Sequence, residues 1–404
     1  MTGDRDGADL AVGADAFTDR GAGLEVAVVG AGALGATVAY DLAREGADVT
    51  LYDRETVAAG SSGRAAGVCY DAFADPIDAE IGGEAIERFR ALSGDETFPF
   101  VECPYVWLAR EGDAERAAAV REQVERMQAE GVVALELEAD ALEERFPPMR
   151  TDDVAVAAIA GAAGYTDPAQ YTACLAAAAT GAGATLETET AVSIRTDPSR
   201  VVLEDGTVGE VDAVVVTAGA HTGRLLADAG VEIAMKPYRV QALVASGEFA
   251  EPMCYDATGD FYFRPHPEGI LAGNGTELRE ADPDGYDPEA NPGFADDLRD
   301  RVRHRVPGLE CGVDRAWAGL CTATPDRDPL VGRLQEGLYV ATGFHGHGFM
   351  RAPAIGNRLA EQVLGGDGVD AFDPTRFDGD EEFAVVEGMT LEESDWGGSV
   401  EEPN

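Results

Sequence analysis

Three glycines and one aspartate near the start of the chain have the spacing of a dinucleotide-binding site. The segment GAGALG at residues 30–35 fits G-x-G-x-x-G, and Asp53 follows Gly35 by eighteen residues. In this pattern Gly30 permits a tight turn, Gly32 lets backbone N–H groups approach a pyrophosphate, and Gly35 lets a helix pack closely on a strand. Asp53 would accept hydrogen bonds from a ribose diol. The motif by itself does not distinguish FAD from NAD.

The segments around these glycines predict the strand–helix–strand unit that the pattern requires. Residues 26–29 form a valine-rich run that is typical of a buried parallel strand. Residues 36–45 carry helix formers, and Gly46 follows at the position of a helix C-terminal glycine. Residues 48–53 alternate polar and apolar residues and end on the acid. The alternative, an ordinary glycine-rich turn, would not need all of these elements in order.

Two further loops contain glycines and side chains that could do chemistry. The loop AAGSSGRAAGV at residues 58–68 consists mostly of small residues, so its backbone can lie against a large flat ligand. The loop GFHGHGFM at residues 343–350 follows a predicted buried strand over residues 337–342. A closing helix is predicted over residues 353–363.

The nucleotide-binding unit is predicted to be interrupted. A buried strand is predicted over residues 212–217, and AGAH follows it at residues 218–221. A return to such a strand so late in the chain indicates an insert. Helices are also predicted over residues 114–130 and 169–179, and strands over residues 187–195 and 201–204.

The composition is strongly acidic throughout. The chain has 76 Asp and Glu against 30 Lys and Arg, a formal net charge of −46, and Lys236 is its only lysine. Such self-repulsion destabilises a compact fold in dilute buffer, and salt screens it. The composition resembles that of cytoplasmic proteins from salt-accumulating haloarchaea; an acidic docking surface is the other interpretation. Either one argues against nucleic-acid binding and against an anionic membrane surface.

The ends of the chain and its cysteines predict neither secretion nor a metal site. Residues 1–24 are predicted to be a disordered acidic extension without the apolar region of a secretory signal, and residues 376–404 an acidic tail. No stretch approaches the ~20 apolar residues of a membrane span. The six cysteines include no C-x-x-C pair and no nearby histidine at metal-ligand spacing, which indicates reduced thiols.

Eight segments, in this order, resemble those of the D-amino-acid oxidase/glycine oxidase/sarcosine oxidase superfamily of FAD-dependent enzymes. The resemblance covers about residues 25–375. The segments are GAGALG, GSSGRAAGV, GYTDP, DAVVVTAGAHT, KPYRVQ, FYFRPHPEGILAGNGT, TPDRDPLVG and ATGFHGHGFMRAPAIG. The last one is most similar to the β subunits of heterotetrameric sarcosine oxidases and related proline dehydrogenases.

The resemblance implies an α/β protein in which a Rossmann-like FAD-binding domain is joined to a discontinuous α+β substrate domain. The substrate domain is built on a mostly antiparallel sheet. Residues 25–92, 150–230 and 318–375 would form the FAD-binding domain, and residues 93–149 and 231–317 the substrate domain.

The resemblance also implies one FAD, with its flavin ring at the boundary between the domains. The GFHGHGF loop would lie at the pyrimidine edge of the flavin, where N–H groups and a helix N-terminus stabilise negative charge on the reduced ring. The expected cofactor-binding residues are Gly30, Gly32, Ala33, Leu34, Gly35, Asp53, Arg54, Ser61, Ser62, Arg64, Ala65, Ala66, Gly67, Ala218, Gly219, Gly343, Gly346, His347, Gly348 and Phe349.

Four positions depart from the family pattern. Gly319 stands where monomeric sarcosine oxidases have a flavin-linked cysteine, and Cys321 lies two residues away. Arg64 stands where the dimethylglycine dehydrogenase type has a flavin-linked histidine. We therefore expect noncovalent FAD. Met350 replaces a carboxylate-binding lysine, and Leu271 falls near a lysine linked to oxygen activation, which favours a dehydrogenase over an oxidase.

Oxidation of an amine at a flavin requires a neutral amine and a C–H bond that faces the flavin nitrogen N5, so orientation and electrostatics are the main tasks of the protein. An arginine suits a substrate carboxylate, and the candidates are Arg64, Arg239, Arg264 and Arg351. Tyr238, Tyr255 and Trp317 could line the pocket, although core packing is the default for each. His345 stands where the family often has a small residue, so it is expected to face the substrate. The predicted catalytic residues are His345, Arg264, Tyr262 and Arg64.

The predicted function is FAD-dependent oxidation of an amino acid or a secondary or N-methyl amine, of the sarcosine, glycine, proline or D-amino-acid type. Its partners would be that substrate and an electron acceptor, either O2 or a carrier. One alternative is a 2-hydroxy-acid dehydrogenase of the same fold, in which a base such as His345 takes the hydroxyl proton. Another is a flavoprotein subunit that needs a partner subunit. An NAD(P) dehydrogenase would leave both glycine-containing loops without a role.

Overall fold

The computed structural model describes residues 19–94, 97–196, 198–203, 205–274, 276–309 and 312–386. Within them the strands are β1 (Glu25–Val29), β2 (Asp48–Tyr52), β3 (Val68–Tyr70), β4 (Phe100–Glu102), β5 (Tyr105–Arg110), β6 (Ala134–Leu137), β7 (Val154–Ala160), β8 (Ala163–Thr166), β9 (Thr185–Glu187), β10 (Val192–Thr196), β11 (Ser199–Leu203), β12 (Val208–Glu210), β13 (Ala213–Val216), β14 (Lys236–Ser246), β15 (Met253–Asp256), β16 (Phe261–His266), β17 (Gly269–Asn274), β18 (Val313–Ala323), β19 (Leu330–Gln335) and β20 (Leu338–Thr342). The helices are α1 (Ala33–Arg44), α2 (Pro76–Leu92), α3 (Ala114–Ala129), α4 (Ala139–Arg145), α5 (Pro168–Gly181), α6 (Thr222–Asp228), α7 (Phe294–Arg305) and α8 (Gly348–Val363).

A six-stranded sheet carries the predicted nucleotide-binding unit. Its strand order is β19-β20-β13-β1-β2-β9, and every neighbouring pair is parallel except β19 with β20. Val26 and Val28 pack on one face of β1, and Ala27 and Val29 on the other. Because both faces are covered, the strand is apolar at successive positions. The prediction of a Rossmann-like α/β domain is confirmed.

An eight-stranded sheet forms the second layer. Its strand order is β18-β14-β17-β16-β15-β5-β7-β6, and every pair is antiparallel except β5 with β15. Phe261 and Phe263 of β16 pack with Leu298 of α7 on one face. Tyr262, between them, belongs to the core shared with the six-stranded sheet. The prediction of a mostly antiparallel substrate sheet is confirmed.

At two places a strand lies in a different sheet from the one that the predicted domain limits imply. β7 lies in the eight-stranded sheet, although the sequence predicts residues 150–230 in the FAD-binding domain. β18 remains paired with β14 as far as Ala323, five residues beyond the predicted boundary at residue 318. An alanine-rich strand and a strand that crosses a domain boundary leave no local mark of the sheet that they join.

Two element predictions also need correction. The strand predicted over residues 187–195 is two strands in different sheets, β9 and β10, and Glu189 between them has a φ of +53°. The closing helix begins at Gly348 rather than at residue 353, so that Pro353 lies inside it. Proline is common at a first helical position, and that preference misplaced the start.

Residues 19–24 of the predicted disordered extension are structured, and so are residues 376–386 of the predicted acidic tail. The side chain of Arg20 contacts Glu45 at 2.8 Å and Glu361 at 2.7 Å, so residues 19–24 pack on the FAD-binding domain. Beyond residue 376, Lys236 donates a hydrogen bond of 2.6 Å to the Phe383 carbonyl, and Val385 is buried against Tyr238. Residues 1–18 and 387–404 lie outside the described residues.

None of the helices within the described ranges combines the length and the apolar character that a bilayer crossing requires.

Candidate functional site

A cavity lies between the two large sheets. It encloses about 1770 Å³ of empty space, including the part that opens to solvent. One wall consists of loops of the six-stranded domain and the other of strands of the eight-stranded sheet.

The turn between β1 and α1 can be built only with glycine at two positions. Gly30 has a φ of +111°, and a Cβ there would lie 2.5 Å from the Thr217 carbonyl oxygen. A Cβ on Gly35 would overlap the Gly30 carbonyl and lie 2.6 Å from Thr217 Oγ1. Gly32 caps α1 without a side chain, and the first turn carries no acid. The positive end of α1 is therefore left to an anionic ligand.

Asp53 is fixed at the end of β2. One of its carboxylate oxygens accepts a 2.7 Å hydrogen bond from the N–H of Ala31, and the other accepts one of 2.8 Å from the N–H of Glu55. Arg54 points elsewhere, since its guanidinium donates to Asp284 at 3.2 Å and lies 2.9 Å from Nε2 of His221. Arg54 is thus part of a surface cluster that ties the two domains together.

The small-residue loop joins the two walls. Ser62 Oγ accepts a hydrogen bond of 2.9 Å from the N–H of Ala33, and Ser61 Oγ donates one of 2.6 Å to the Leu320 carbonyl on β18. Gly67 has a φ of +71°, and a Cβ there would overlap the Thr166 carbonyl. The loop is therefore held by backbone fit and by two serines.

Arg64, in this loop, faces the cavity. Its Nη1 donates to the carbonyls of Ala59 and Gly60, and its own carbonyl accepts from Trp317 Nε1 at 3.1 Å. Among the described residues, no carboxylate lies within ion-pair distance of Arg64, and no other arginine lines the cavity. In a chain with 76 acids, an arginine without a carboxylate partner indicates an anionic ligand.

The histidine-containing loop connects β20 to α8 through left-handed backbone. Gly343, His345 and Gly346 have φ values of +81°, +46° and +84°. The N–H of His345 donates to the Thr322 carbonyl at 2.8 Å, and Nε2 of its ring accepts from the N–H of Thr324 at 2.8 Å. The loop is thereby fixed against the end of β18.

Both histidines of this loop are held neutral. Burial lowers the pKa of His345 to about 4, and the nearby positive charge of Arg327 lowers it further. Burial also lowers the pKa of His347 to about 3, with a further contribution from the charge of Arg351. Nε2 of His347 lies 3.3 Å from the Tyr70 hydroxyl.

The opposite wall is aromatic. Tyr105, Tyr238, Tyr255 and Tyr262 line it from four different strands of the eight-stranded sheet. The ring of Tyr70, on β3, stacks on that of Tyr105 with centroids 4.3 Å apart. Burial raises the pKa of Tyr70 to about 12 and that of Tyr105 well above its usual value, so both hydroxyls stay protonated. They can donate hydrogen bonds but do not act as bases at neutral pH.

Comparisons with known proteins agree with this arrangement. The family model described as "FAD dependent oxidoreductase" (DAO) matches residues 25–362. The chain belongs to this family.

Two curated relatives and one solved structure show the range of the family. The chain is 31% identical over 364 residues to the tRNA 5-methylaminomethyl-2-thiouridine biosynthesis bifunctional protein MnmC of Maricaulis maris, with 87% of this chain and 55% of that protein covered. It is 29% identical over 382 residues to the 4-methylaminobutanoate oxidase (formaldehyde-forming) of Paenarthrobacter nicotinovorans, with 87% and 45% covered. The chain thus spans about half the length of these relatives. The L-proline dehydrogenase from P. horikoshii superposes with a TM-score of 0.80 at 27% identity, with 88% and 98% covered.

The residues at the cavity fit the FAD of this family. The N-terminal end of α1, whose first turn carries no acid, and the glycine turn suit a pyrophosphate, and Asp53 lies at the end of the neighbouring strand. Two buried polar atoms at the cavity, His345 Nδ1 and Thr342 Oγ1, have no hydrogen-bond partner among the described residues. Buried polar atoms are usually paired, so these two indicate a ligand that pairs them.

The structure brings most of the predicted site residues to the cavity. Those that line it are Gly32, Ala33, Leu34, Ser61, Ser62, Arg64, Ala65, Ala66, Gly67, Gly219, Tyr262, His345, Gly346, His347, Gly348 and Phe349. Those outside its lining are Gly30, Gly35, Asp53, Arg54, Ala218, Arg264 and Gly343. Gly30 and Gly35 act beneath the surface, where they let the turn close. The individual binding roles stay predictions.

Four arginines are buried, and their partners distinguish the candidates for binding a substrate carboxylate. Arg239 pairs with Glu277, Arg305 with Asp153 and Asp256, and Arg351 with Asp78. Arg264 has no such carboxylate among the described residues.

Arg264 instead donates to the carbonyls of Ala66 and Pro265, and its guanidinium carbon lies 5.0 Å from the centre of the Tyr165 ring. Its side chain joins β16 to the small-residue loop and does not line the cavity.

Tyr70, Tyr105 and Thr342 are among the cavity-lining residues that sequence reasoning missed. Tyr70 and Tyr105 belong to short strands that carry no motif of the family resemblance, and Thr342 looked like the end of a buried strand. Tyr105 and Trp107 are aromatic residues two positions apart, and this alternation weakly indicated one face of a sheet.

Proposed function

We propose that this chain oxidises a small amine or amino acid at a carbon–nitrogen bond and binds its FAD noncovalently. When bound, FAD would supply the acceptor, the ring nitrogen N5, for the hydride that leaves the substrate carbon, and water would hydrolyse the resulting imine. The protein's tasks are to orient the substrate, to exclude water and to select a neutral amine.

The absence of a general base among the described residues that line the cavity carries this proposal. His345 and His347 have pKa values lowered to about 4 and 3, and the buried tyrosine hydroxyls are protonated. Asp260 is exposed at the edge of the cavity. A neutral amine can release hydride without losing a proton to the protein, whereas an alcohol needs a base for its hydroxyl proton.

The aromatic wall supports a small organic amine as the substrate. Tyr105, Tyr255 and Tyr262 present protonated or partly buried phenols from neighbouring strands. Such side chains combine apolar contact with a single directed hydrogen bond, so they can fix the orientation of one C–H bond. The names of the relatives, an oxidase of 4-methylaminobutanoate and a dehydrogenase of L-proline, also favour CH–NH substrates.

Arg64 is our candidate for the group that binds a substrate carboxylate. It is the only arginine among the described residues that lines the cavity, and its guanidinium contacts only carbonyls. A second anion, the pyrophosphate of FAD, could use the same side chain. Arg264 would hold the loop that carries Arg64, rather than the substrate itself.

Electrons would pass to a carrier in preference to O2. Leu271, which falls near a lysine linked to oxygen activation in monomeric sarcosine oxidases, is a buried apolar residue on β17. We also propose a cytoplasmic location at high salt, which the net charge of −46 supports. A partner subunit remains part of the proposal because the first two relatives are about twice as long as the matched region.

The test is anaerobic reduction of the FAD-loaded chain in molar salt, followed by its visible spectrum. Sarcosine, proline, glycine, D-alanine, 4-methylaminobutanoate and 2-hydroxyglutarate are mixed separately with the protein. We expect an amine to bleach the flavin band, and the reduction rate at low substrate concentration to rise with pH until the free amine is deprotonated. An air pulse then distinguishes an oxidase from a dehydrogenase. Bleaching only by the hydroxy acid would overturn the proposal.

A 2-hydroxy-acid dehydrogenase is disfavoured by one observation. His345, the base that this alternative needs, already uses its Nε2 lone pair to accept the N–H of Thr324. A flavin that none of the compounds bleaches, but that dithionite reduces, would favour the subunit alternative.

A further inference from the structure

The ring of His345 is oriented by the backbone. Its Nε2 lies 2.8 Å from the backbone nitrogen of Thr324, and a backbone N–H can only donate. Nε2 is therefore the acceptor and carries no proton. In a neutral imidazole the proton then belongs to Nδ1.

The Nδ1 proton has no acceptor among the described residues. Nδ1 is buried and makes no hydrogen bond to any described residue, although the His345 ring lines the cavity. An unpaired buried donor is destabilising, and so is a φ of +46° in a residue other than glycine. Two unfavourable features in one residue, fixed by hydrogen bonds to Thr322 and Thr324, indicate a position that a ligand completes.

The first residues of helix α8 line the same cavity as His345. His345 lies three residues before Gly348, the first residue of the sixteen-residue helix α8, whose N-terminal turn contains no acid. Helix N-terminal N–H groups and a neutral imidazole donor together favour an acceptor atom that carries negative charge. In this cavity such an atom would be an oxygen or nitrogen at the flavin edge, or the carboxylate oxygen of a substrate.

We propose that His345 is a neutral hydrogen-bond donor of fixed tautomer, whose Nδ1–H binds an electron-rich acceptor atom of the ligand in the cavity. This inference rests on the FAD of the proposed function. It makes His345 a residue that stabilises charge and excludes it as a general base.

Two amide variants separate the two ring nitrogens. His345→Asn places an N–H donor near the position of Nδ1, and asparagine tolerates left-handed backbone. His345→Gln places an acceptor near Nε2, where it can receive the Thr324 N–H, but provides no donor at the Nδ1 position. A purely structural role predicts that Gln is tolerated and Asn is not, whereas the donor role predicts the reverse.

The measurement is the reduction potential of bound FAD, obtained by anaerobic dithionite titration against a reference dye. No amine is present, so the outcome is independent of whether the proposed substrate class is right. If the acceptor belongs to the flavin, His345→Gln should weaken binding of reduced relative to oxidised FAD about tenfold, or about 30 mV for a two-electron couple. His345→Asn should remain within about threefold of the parent.

A second titration distinguishes the source of the acceptor. If the acceptor is a substrate carboxylate, the potential stays constant, and the dissociation constant of a non-reacting acid such as acetate rises about tenfold in His345→Gln only. A parent-like Gln variant with an impaired Asn variant would overturn the proposal, as would parent-like values for both variants in both titrations.

A measurement on the parent protein does not depend on how the variants fold. Two-bond ¹H–¹⁵N correlation spectra of the five histidines report the tautomer of each ring. We expect the histidine signal that is absent from the spectrum of His345→Asn to be that of a neutral ring with its proton on Nδ1, and to shift when FAD or acetate binds. A proton on Nε2 of His345 would contradict the proposal.

Discussion

The two walls of the cavity differ in the groups that they present to a ligand. The wall of the six-stranded domain consists of backbone. Gly30 and Gly35 pack against carbonyls, and Gly32 is at the N-terminal end of α1. The wall of the eight-stranded sheet consists of side chains, among them Tyr105 and Tyr262. A backbone wall recognises what every member of a family shares, whereas a side-chain wall can change with the substrate without disturbing the fold.

We expect substitutions in the two walls to affect different properties of the protein. A change in the backbone wall should remove the cofactor together with stability. A change in the aromatic wall should alter substrate kinetics while FAD remains bound. The four predictions below test this difference, from the largest expected effect to the smallest.

Gly35→Ala should have the largest effect. Its Cβ would overlap the Gly30 carbonyl and approach Thr217 Oγ1 to 2.6 Å, so the turn must open. We expect a loss of stability greater than about 3 kcal/mol and loss of bound FAD. Thermal unfolding and the ratio of flavin to protein absorbance measure both.

The matched control is Gly83→Ala, in α2. A Cβ at this position meets nothing within 4 Å. Alanine is favoured over glycine in a helix by about 1 kcal/mol, so the control should be as stable as the parent or more so. A Gly35→Ala protein that retains stoichiometric FAD would contradict the idea of a backbone wall.

The histidine-containing loop over residues 343–350 should make the stability of the protein depend on pH. His345 and His347 have native pKa values of about 4 and 3 against an ordinary value of 6.5. Between these values the unfolded state binds more protons than the native state, so stability falls as pH decreases from about 6.5 towards 4. At about 1.4 kcal/mol per pKa unit, the loss of stability on full acidification is roughly 3–4 kcal/mol from His345 and roughly 5 kcal/mol from His347.

Denaturant unfolding in molar salt at pH 7, 6, 5 and 4 measures this slope. Carboxylates contribute to it as well, so the parent is compared with a double variant, His345→Asn with His347→Asn. The double variant should be less stable at pH 7 and should lose less stability on acidification. Equal slopes in the two proteins would show that the histidines are not held neutral.

Tyr262→Phe should affect the substrate and spare the cofactor. The hydroxyl fits against Gly273, where a Cβ would overlap it, and the side chain lines the cavity. A hydrogen bond to a charged group contributes about 1.5–3 kcal/mol, so we expect kcat/KM to fall about tenfold to a hundredfold. FAD affinity should be unchanged.

Tyr339→Phe is the matched control, because Tyr339 lies on β20 and does not line the cavity. Steady-state kinetics and FAD titration of both variants give the comparison. Loss of FAD from Tyr262→Phe would show that the aromatic wall also serves the cofactor.

Cys321→Ser should have the smallest effect. Sγ of Cys321 lies 3.9 Å from the position of a Cβ on Gly346 and lines the cavity, so it is the thiol best placed for a covalent link. We expect acid precipitation to release all flavin into the supernatant from both the parent and the variant. Flavin that stays with the parent pellet and not with the variant would overturn noncovalent binding.

The parts that sequence predicted are those in which neighbouring residues act on one another. The spacing of Gly30, Gly32 and Gly35 is a local property of one turn, and the valine-rich run of β1 reports burial on both faces. The family segments placed the cavity loops in order. The start of α8 and the division between β9 and β10 were missed, because a left-handed residue and an internal proline have no unique local signature.

The sequence by itself determined the nucleotide-binding unit and the family, and most of the site residues that it predicted line the cavity. Only the tertiary structure decided what each polar side chain can do. Arg264 donates a hydrogen bond to the carbonyl of Ala66, 198 residues away. The N–H of Thr324 donates to Nε2 of His345 and so determines which ring nitrogen carries the proton. The physical reason is that charge, tautomer and pKa depend on burial and on partners that the fold brings together, and the order of residues along the chain does not contain those partners.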